Sequence, residues 1–398
     1  MKTIFALFIT VGLFTSTVSA QWIQQISGTS QVLRSVQFLD EDNGYIVGSK
    51  GTILKTTNGG ENWISTYSDT TAAFYSLFFT DNNIGYVAGE KGNIIKTLDG
   101  GLTWTKNVID SMETYHSIFF INPDTGYAVG TDAIGNHPVI IKTIDGGASW
   151  SIQTSNSSTQ YLNAVYFLNA NLGYVAGGGG TVLKTTNGGV TWTELYTGIY
   201  SWINALEFTN PDTGYIAGVD FCKTLNGGIT WDGISAGNGY YFTGLSFPTT
   251  NTGYAVGSMA TVHKTTNAGK SWTIIPVTFL QSVNDVCFVT PDIGYVVGWE
   301  GTIYKTTNGG VVGIDKPPVH NDNLAVTPNP AKNQIEICSS ALLVNGSLSI
   351  MDIKGDEVVK TKLIGTKIKI DISSLPSGVY LIRAQTQGTS AVCRFIKE

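Results

Sequence analysis

Few residues in this 398-residue chain combine the type and spacing that catalysis needs. Glycosidic hydrolysis uses two carboxylates about 5–9.5 Å apart, and the acids best placed on predicted strands are Glu207 and Asp285. The four histidines have no metal-ligand spacing, and no G-x-S-x-G, P-loop or Rossmann motif is present. We therefore predict no catalytic residue, metal ion or cofactor, and retain a secreted glycan-active hydrolase as the alternative.

A second set of polar and aromatic residues has the spacing of a binding surface. Polar or hydroxyl-bearing residues recur at one position of a repeated strand, and aromatic residues lie just before such strands or in a neighbouring turn. Aromatic faces with amide and hydroxyl neighbours suit sugars or peptides. In the alternative, the aromatic rings pack between sheets, the polar ring binds only water, and the protein has a structural or adhesive role. The candidate binding residues are Arg34, Tyr75, His116, Tyr161, Asn163, Tyr200, Trp202, Asn204, Tyr241, Asn284 and Trp299, with Thr243 in the same register.

An internal repeat supplies the elements that position these residues. One Gly-Tyr pair recurs in each of seven units between Gly44 and Tyr295 at spacings of 39–47 residues, each time followed by a further Gly, a Lys-Thr step and a Gly-rich turn. Six of the turns lead to a Trp. Each unit is predicted to form four short strands, A to D, and four strands in about 40 residues are typical of a β-propeller.

The seventh unit ends without a Trp, whereas the segment after residue 21 begins with Trp22. We therefore predict an all-β fold, in which residues 21–312 form a seven-bladed β-propeller that an N-terminal strand closes. Closure removes the exposed edges of an open array.

The turns follow the pattern Thr-x-(Asn/Asp)-x-Gly-x-x-Trp and resemble Asp-box (BNR) repeats. Together with Gly-Tyr-x-x-Gly and Lys-Thr, they are similar to photosystem II stability/assembly-factor-like propellers. We expect a structural role, in which the Asx oxygen accepts a backbone N–H two residues on; calcium binding is the alternative, and the prevalence of Asn disfavours it. The box residues are Asn58, Trp63, Asp99, Trp104, Asp145, Trp150, Asn187, Trp192, Asn226, Trp231, Asn267, Trp272 and Asn308.

The resemblance also brings enzymes into consideration, because Asp-box propellers include sialidases. A sialidase needs three arginines to hold a carboxylate, and residues 21–312 contain only Arg34. Xyloglucan-type hydrolases use two propellers, and this chain has one. We do not expect this chain to assemble a photosynthetic complex, since the arginine-rich patch of that family has no counterpart in this sequence.

Residues 313–323 form a polar, Pro-bearing linker, and 324–398 alternate strands with Gly and Asn turns, which predicts a small Ig-like β-sandwich. Pro328-Asn329-Pro330 and Leu375-Pro376-x-Gly378-x-Tyr380 make this segment similar to type A C-terminal sorting domains of the type IX secretion system. The resemblance implies contact with that machinery; a generic Ig-like appendage is the alternative. Cys338 and Cys393 could form a disulfide or remain free thiols.

Residues 1–20 have the charged start, short apolar core and small-residue end of a signal peptide, with cleavage between Ala20 and Gln21; an uncleaved anchor is the alternative. Residues 21–312 carry 12 Lys plus Arg against 21 Asp plus Glu. This acidic balance argues against a nucleic-acid partner. We expect a secreted or outer-surface protein that binds a protein or glycan, without a transmembrane segment in the mature chain.

Overall fold

The computed structural model describes residues 22–109, 112–132, 137–153, 161–234, 240–277, 279, 281–310, 324–339, 346–352, 356–386 and 390–398. The predicted signal peptide, its cleavage pair Ala20–Gln21 and the linker 313–323 lie outside these residues. The chain divides into two compact units, of which one spans Ala20–Val312 and the other includes Gly313–Glu398.

The described residues of the larger unit contain seven four-stranded antiparallel sheets. Sheets 1–6 each use four consecutive strands, and sheet 7 combines three strands with the first strand of the chain. In chain order, the first strands are β1 Ile23–Gln25; β2 Leu33–Phe38, β3 Asn43–Gly48, β4 Ile53–Thr57 and β5 Ile64–Tyr67 in sheet 1; β6 Phe74–Phe79, β7 Gly85–Gly89, β8 Asn93–Thr97 and β9 Thr105–Val108 in sheet 2; and β10 Glu113–Phe120, β11 Gly126–Asp132, β12 Pro138–Thr143 and β13 Ser151–Ile152 in sheet 3.

The remaining strands of this unit repeat the pattern. They are β14 Leu162–Phe167, β15 Gly173–Gly177, β16 Val182–Thr185 and β17 Thr193–Leu195 in sheet 4; β18 Ile203–Phe208, β19 Gly214–Gly218, β20 Phe221–Thr224 and β21 Asp232–Gly233 in sheet 5; β22 Phe242–Ser246, β23 Gly253–Gly257, β24 Thr261–Thr265 and β25 Thr273–Ile274 in sheet 6; and β26 Val283–Phe288, β27 Gly294–Gly298 and β28 Ile303–Thr306 in sheet 7. Short 3-10 turns at Ser49–Gly51, Gly178–Gly180, Ser258–Ala260 and Trp299–Gly301 connect the second and third strands of sheets 1, 4, 6 and 7.

The first strands of the sheets form a closed ring. Strands β2, β6, β10, β14, β18, β22 and β26 contact one another in this order, and β26 contacts β2 again. These strands are therefore innermost, and their half-buried side chains line the axis of the ring. The expected all-β propeller is confirmed.

Strand β1 occupies the place of the missing fourth strand of sheet 7. It pairs with β28, with Ile23 opposite Lys305, just as Ile64 lies opposite Lys55 in sheet 1. Trp22 is only 2% exposed and packs edge-on against Phe288, with ring centroids 6.0 Å apart. The six box tryptophans pack in the same way, each edge-on to the Phe at the end of, or directly after, the innermost strand of its own sheet, at 5.8–6.2 Å.

The Gly-Tyr pair joins each sheet to the next. In sheet 1, the Phe38 ring covers Gly44 so closely that an added Cβ would lie 2.5 Å from it. The following Tyr45 stacks on Phe79 of sheet 2 with ring centroids 3.7 Å apart. Equivalent stacks recur around the ring, and the last places Tyr295 of sheet 7 on Phe38 at 3.6 Å.

The repeated Lys also bridges neighbouring sheets. Lys55 Nζ and Tyr45 Oη both donate to the carbonyl oxygen of Gly100 in the next box, at 2.7 and 3.0 Å. The ammonium group also lies 5.6 Å from the centre of the Tyr45 ring. All seven repeats make this double contact. In sheet 7, Lys305 Nζ and Tyr295 Oη donate to the carbonyl oxygen of Gly59 in sheet 1, at 2.7 and 2.9 Å. The sequence motif is thus a set of inter-sheet bonds.

The box turns differ from the prediction in one detail. Asn58 Oδ1 accepts the backbone N–H of Asn62, four residues on rather than two, at 3.0 Å. Thr56 Oγ1 accepts the N–H of Gly60 at 2.9 Å, where a φ of 85° favours glycine. Hydrogen bonds from the Thr103 side chain and backbone lower the pKa of Asp99 to about 2, and Ser149 does the same for Asp145. The boxes at Asn187, Asn226 and Asn267 have the same i+4 bond, while Asn308 bonds to Thr306.

The smaller unit has two antiparallel sheets over its described residues. One contains β29 Leu324–Thr327, β30 Gln334–Ser339 and β33 Lys367–Asp371; the other contains β31 Ser347–Met351, β32 Glu357–Lys362, β34 Gly378–Gln385 and β35 Ser390–Lys397. Side chains from both sheets, among them Ile337, Ile350 and Phe395, share one buried core. Cys338 and Cys393 lie on different sheets, and both are free thiols.

Candidate binding face at the ring mouth

The two ends of the ring carry different loops. At one end, the box lies beside the turn between the first two strands, and the N–H of Gly59 donates to the carbonyl of Asp42 at 2.9 Å. At the other end, the turn between the second and third strands contacts the segment before the first strand, and the N–H of Ser49 donates to Val32 at 2.8 Å. We call the second end the loop face.

A β-bulge on each innermost strand explains the register of the polar positions. In sheet 1, Leu33 pairs with Gly48 and Ser35 with Val47, so Arg34 has no opposite residue. Such a bulge re-aims the extra side chain. The same irregularity occurs in all seven sheets. The bulge residues, which we call the bulge ring, are Arg34, Tyr75, His116, Asn163, Asn204, Thr243 and Asn284.

Four members of the bulge ring hold the next strand. Each donates its side-chain N–H or O–H to the carbonyl oxygen that immediately precedes the next bulge residue. The bonds are Asn163 to Ile203 at 3.0 Å, Asn204 to Phe242 at 2.8 Å, Thr243 to Val283 at 3.0 Å and Asn284 to Leu33 at 2.7 Å. In sheets 4–7 the polar ring therefore stabilises the propeller.

The other three members interact through their side chains. The Arg34 guanidinium carbon lies 4.6 Å from the centre of the Tyr75 ring, and the Tyr75 and His116 rings are 5.2 Å apart. Tyr75 Oη donates to Glu90 Oε1 at 2.9 Å. Among the described residues, Arg34 Nε and His116 Nε2 are buried without a hydrogen-bond partner. This sector has polar groups that the fold does not use.

The electrostatics of this sector are set by burial and by Arg34. Burial lowers the pKa of His116 to about 4. The positive charge of Arg34 also lowers this pKa, whereas the negative charge of Glu90 raises it. Burial, together with the hydrogen bond to Glu90, raises the pKa of Tyr75. At neutral pH the sector therefore presents a neutral imidazole beside a guanidinium.

Aromatic side chains cover another sector of the loop face. Tyr161, Trp202 and Tyr241 occupy the same position, two residues before the bulge residue, in sheets 4, 5 and 6. Tyr161 and Trp202 contact each other with ring centroids 4.9 Å apart, and Tyr241 Oη donates to Asn204 Oδ1 at 3.2 Å.

Several of these rings face solvent. Tyr200 is 83% exposed, Trp299 53% and Trp202 44%. The alternative was that these aromatic rings pack between sheets. The exposed fractions show that Tyr200, Trp299 and Trp202 are not buried in this way.

The two acids of the hydrolase alternative lie on the inner strands. Glu207 Oε1 accepts the N–H of Phe247 at 3.1 Å, and the Asp285 carboxylate accepts those of Val36 and Val286 at 3.0 and 2.8 Å. Burial raises the pKa of Glu207 to about 7 and that of Asp285 to about 6. Both carboxylates are therefore engaged with backbone, and Glu207 and Asp285 join their own strand to the next sheet.

Sequence reasoning missed Glu90, because a single acid in a turn has no motif. Its carboxylate binds Tyr75 and also accepts the N–H of Ala73 at 3.0 Å. Within the described residues, no group of three or more His, Cys, Asp or Glu could hold a metal ion. No helix in the same part of the chain has the length and apolarity needed to cross a membrane.

Comparison with protein families supports both resemblances. Residues 325–398 match the model of the secretion system C-terminal sorting domain. Residues 14–106 and 109–199 match that of the photosynthesis system II assembly factor YCF48. No curated protein sequence gives a significant match.

Solved structures share the fold at low identity. A structure of YCF48 bound to a D1 peptide has 18% identity and a TM-score of 0.61, over 72% of this chain and 97% of that one. A GH74 enzyme of Niastella koreensis has 14% identity and a TM-score of 0.58, over 94% and 74%. PorZ, an essential surface component of the type IX secretion system of Porphyromonas gingivalis, has 13% identity and a TM-score of 0.54, over 92% and 59%. These likenesses concern the fold alone.

Proposed function

We propose that this chain, an all-β propeller similar to YCF48 with a secretion system sorting domain at its C-terminal end, is an exported binding module without catalytic activity. Residues 1–20 direct it across the inner membrane, and 324–398 engage the type IX machinery. The mature propeller, residues 21–312, then binds a protein or glycan at the cell surface or outside the cell.

One observation carries the proposal. The repeated Gly, Tyr, Lys and Trp residues are used in contacts between or within the sheets, whereas several residues that break the sevenfold pattern lie on the loop face. Those residues include the exposed Trp202 and Trp299, and Arg34 and His116, each of which has one buried nitrogen with no hydrogen-bond partner among the described residues. Exposed aromatic rings, and polar groups that the fold leaves unused on a rigid scaffold, are suited to recognition.

The similarity to a YCF48 structure with a bound D1 peptide supports binding as a use of this fold, and the PorZ likeness supports a surface location. The type of ligand is tested with the mature chain, residues 21–398, on a glycan array and a peptide array. Every bound glycan is then examined by mass spectrometry. Binding without a change of mass, lost in Trp202→Ala, is the expected result. If neither array gives binding that depends on Trp202 or Trp299, the loop face is not the site.

The hydrolase alternative has one observation in its favour, since Glu207 and Asp285 have raised pKa values on the channel wall. Under that alternative, a glycan changes mass, and Glu207→Gln and Asp285→Asn stop turnover. Under our proposal, no glycan changes mass and both variants keep their binding.

A further inference from the structure

We propose that Arg34 and the Tyr75–His116 pair form a carboxylate subsite at the ring mouth, and that its ligand is a hexuronate residue of an acidic glycan. The proposal rests on the proposed function and names the chemistry of the ligand.

The first argument is a comparison of equivalent positions. Asn163, Asn204, Thr243 and Asn284 have the same bulge geometry as Arg34, and each uses its donor on the next strand. At Arg34 that bond is absent, and within the described residues its guanidinium makes no hydrogen bond or ion pair, only the stack on Tyr75. A guanidinium whose planar donors are held in place by an aromatic ring matches a carboxylate in two parallel bonds.

The neighbouring acid Glu90 forms no ion pair with Arg34 in the described part of the chain. Glu90 accepts Tyr75 Oη with one oxygen and the N–H of Ala73 with the other. Lys50, on the turn of the same sheet, is exposed and has no hydrogen-bond or ion-pair partner in the described part of the chain. The buried His116 Nε2 is also unpaired there, and at neutral pH the imidazole is uncharged and can donate to an oxygen.

The exposed Trp299, on a turn next to the strand of Arg34, offers a stacking surface for a sugar ring. The turn Trp299–Gly301 contacts β2, the strand that carries Arg34, and the N–H of Gly301 donates to Gln31 at 2.9 Å. Trp299 at the start of this turn is 53% exposed. An exposed indole on a turn that contacts the strand of Arg34 offers a hexuronate a stacking surface in addition to the charge partner.

The experiment measures binding of an oligogalacturonide and of its methyl ester to the mature chain by isothermal titration calorimetry. The variants are Arg34→Gln, Arg34→Lys and Trp299→Ala, and Arg383→Gln, an exposed residue of the C-terminal unit, is the control for loss of charge. Thermal unfolding of each variant tests whether it is folded, and Arg34→Lys keeps a cation should Arg34→Gln destabilise the ring.

We expect the acid to bind at least about tenfold more tightly than the ester, because the free energy of a charge-assisted bidentate contact corresponds to an affinity difference of about that size. Arg34→Gln removes the preference, Arg34→Lys reduces it, and Arg383→Gln leaves it unchanged. Trp299→Ala weakens acid and ester by a similar factor.

Equal binding of acid and ester, or a preference that survives in Arg34→Gln, overturns the subsite. Arg34-dependent binding of peptides with a free, but not an amidated, C-terminus in place of the sugar overturns the hexuronate assignment. If the ester binds through Trp202 while Arg34→Gln has no effect, the subsite fails and the proposed function stands. If no glycan or peptide binds, both fail.

Discussion

Replacement of Glu207 by Gln should stabilise the propeller at alkaline pH and have no effect at acid pH. The carboxyl group lies on an innermost strand, where burial raises its pKa from 4.5 to about 7 and Asp285 adds repulsion. A shift of this size corresponds to about 3 kcal/mol of unfavourable free energy for the ionised form in the folded state. The Gln amide keeps the oxygen that accepts the Phe247 N–H and removes the charge.

The sign follows from proton uptake. The folded state binds the Glu207 proton more tightly than the unfolded state, so this group's contribution to stability is present below pH 4.5 and is lost as pH rises toward 7. At pH 8 the variant should therefore be more stable than the wild type by up to about 3 kcal/mol, and at pH 4 the two should be equal.

The assay is urea unfolding of the mature chain at both pH values, followed by tryptophan fluorescence. All nine tryptophans lie in residues 21–312, so the signal reports the propeller. Glu194→Gln, at an exposed site on β17, is the matched control and should change little at either pH. A Glu207→Gln variant destabilised equally at pH 4 and pH 8 would refute the argument, since the side chain would then act through shape and not charge.

Three further predictions concern packing and charge. Gly44→Ala places a Cβ 2.5 Å from the Phe38 ring and should destabilise the propeller by about 1–3 kcal/mol in urea unfolding, whereas Gly233→Ala, with open space around the new Cβ, should change stability little. Lys305→Met loses the 2.7 Å bond to Gly59 and should lower the free energy of unfolding by about 1–3 kcal/mol. The exposed Lys50→Met is the control, and equal effects of the two substitutions would contradict a role of Lys305 in ring closure. The His116 imidazole, whose pKa is lowered to about 4, should show an NMR titration midpoint far below 6.5 that moves upward in Arg34→Gln; an ordinary midpoint would mean that the ring is solvated. Since the folded pKa of this base is depressed, its contribution to stability is lost as pH falls from 6.5 through about 4.

Most of the fold was predictable because the seven copies of the repeat can be aligned with one another within this one sequence. The period, the two glycines and the box Trp identified the strands, and the absent Trp of the last unit pointed to Trp22. The sequence did not reveal why Tyr and Lys recur, since both act on Gly100-type carbonyls of the next repeat, a contact that no local pattern records.

The candidate site was predictable only in part. The register of the bulge ring was visible as a repeated position, but the side chains at that position have two uses. Asn163 and Arg34 occupy equivalent sites. Only the structure separates the amide, which binds the neighbouring strand, from the guanidinium, which binds no strand among the described residues. Glu90 was missed because its role depends on Tyr75, 15 residues earlier in the chain.

The pairing of β1 with β28 has a consequence for the order of events during synthesis and export. Sheets 1–6 can form from consecutive hairpins as the chain emerges, but β1 has no partner until the last repeat arrives. The bond from Lys305 to Gly59 joins residues 246 positions apart and belongs to the same late step. Such long-range closure is slow relative to local pairing. A chain that stalls before residue 303 therefore carries two open sheet edges, which are available to chaperones, to proteases or to another copy of the same intermediate.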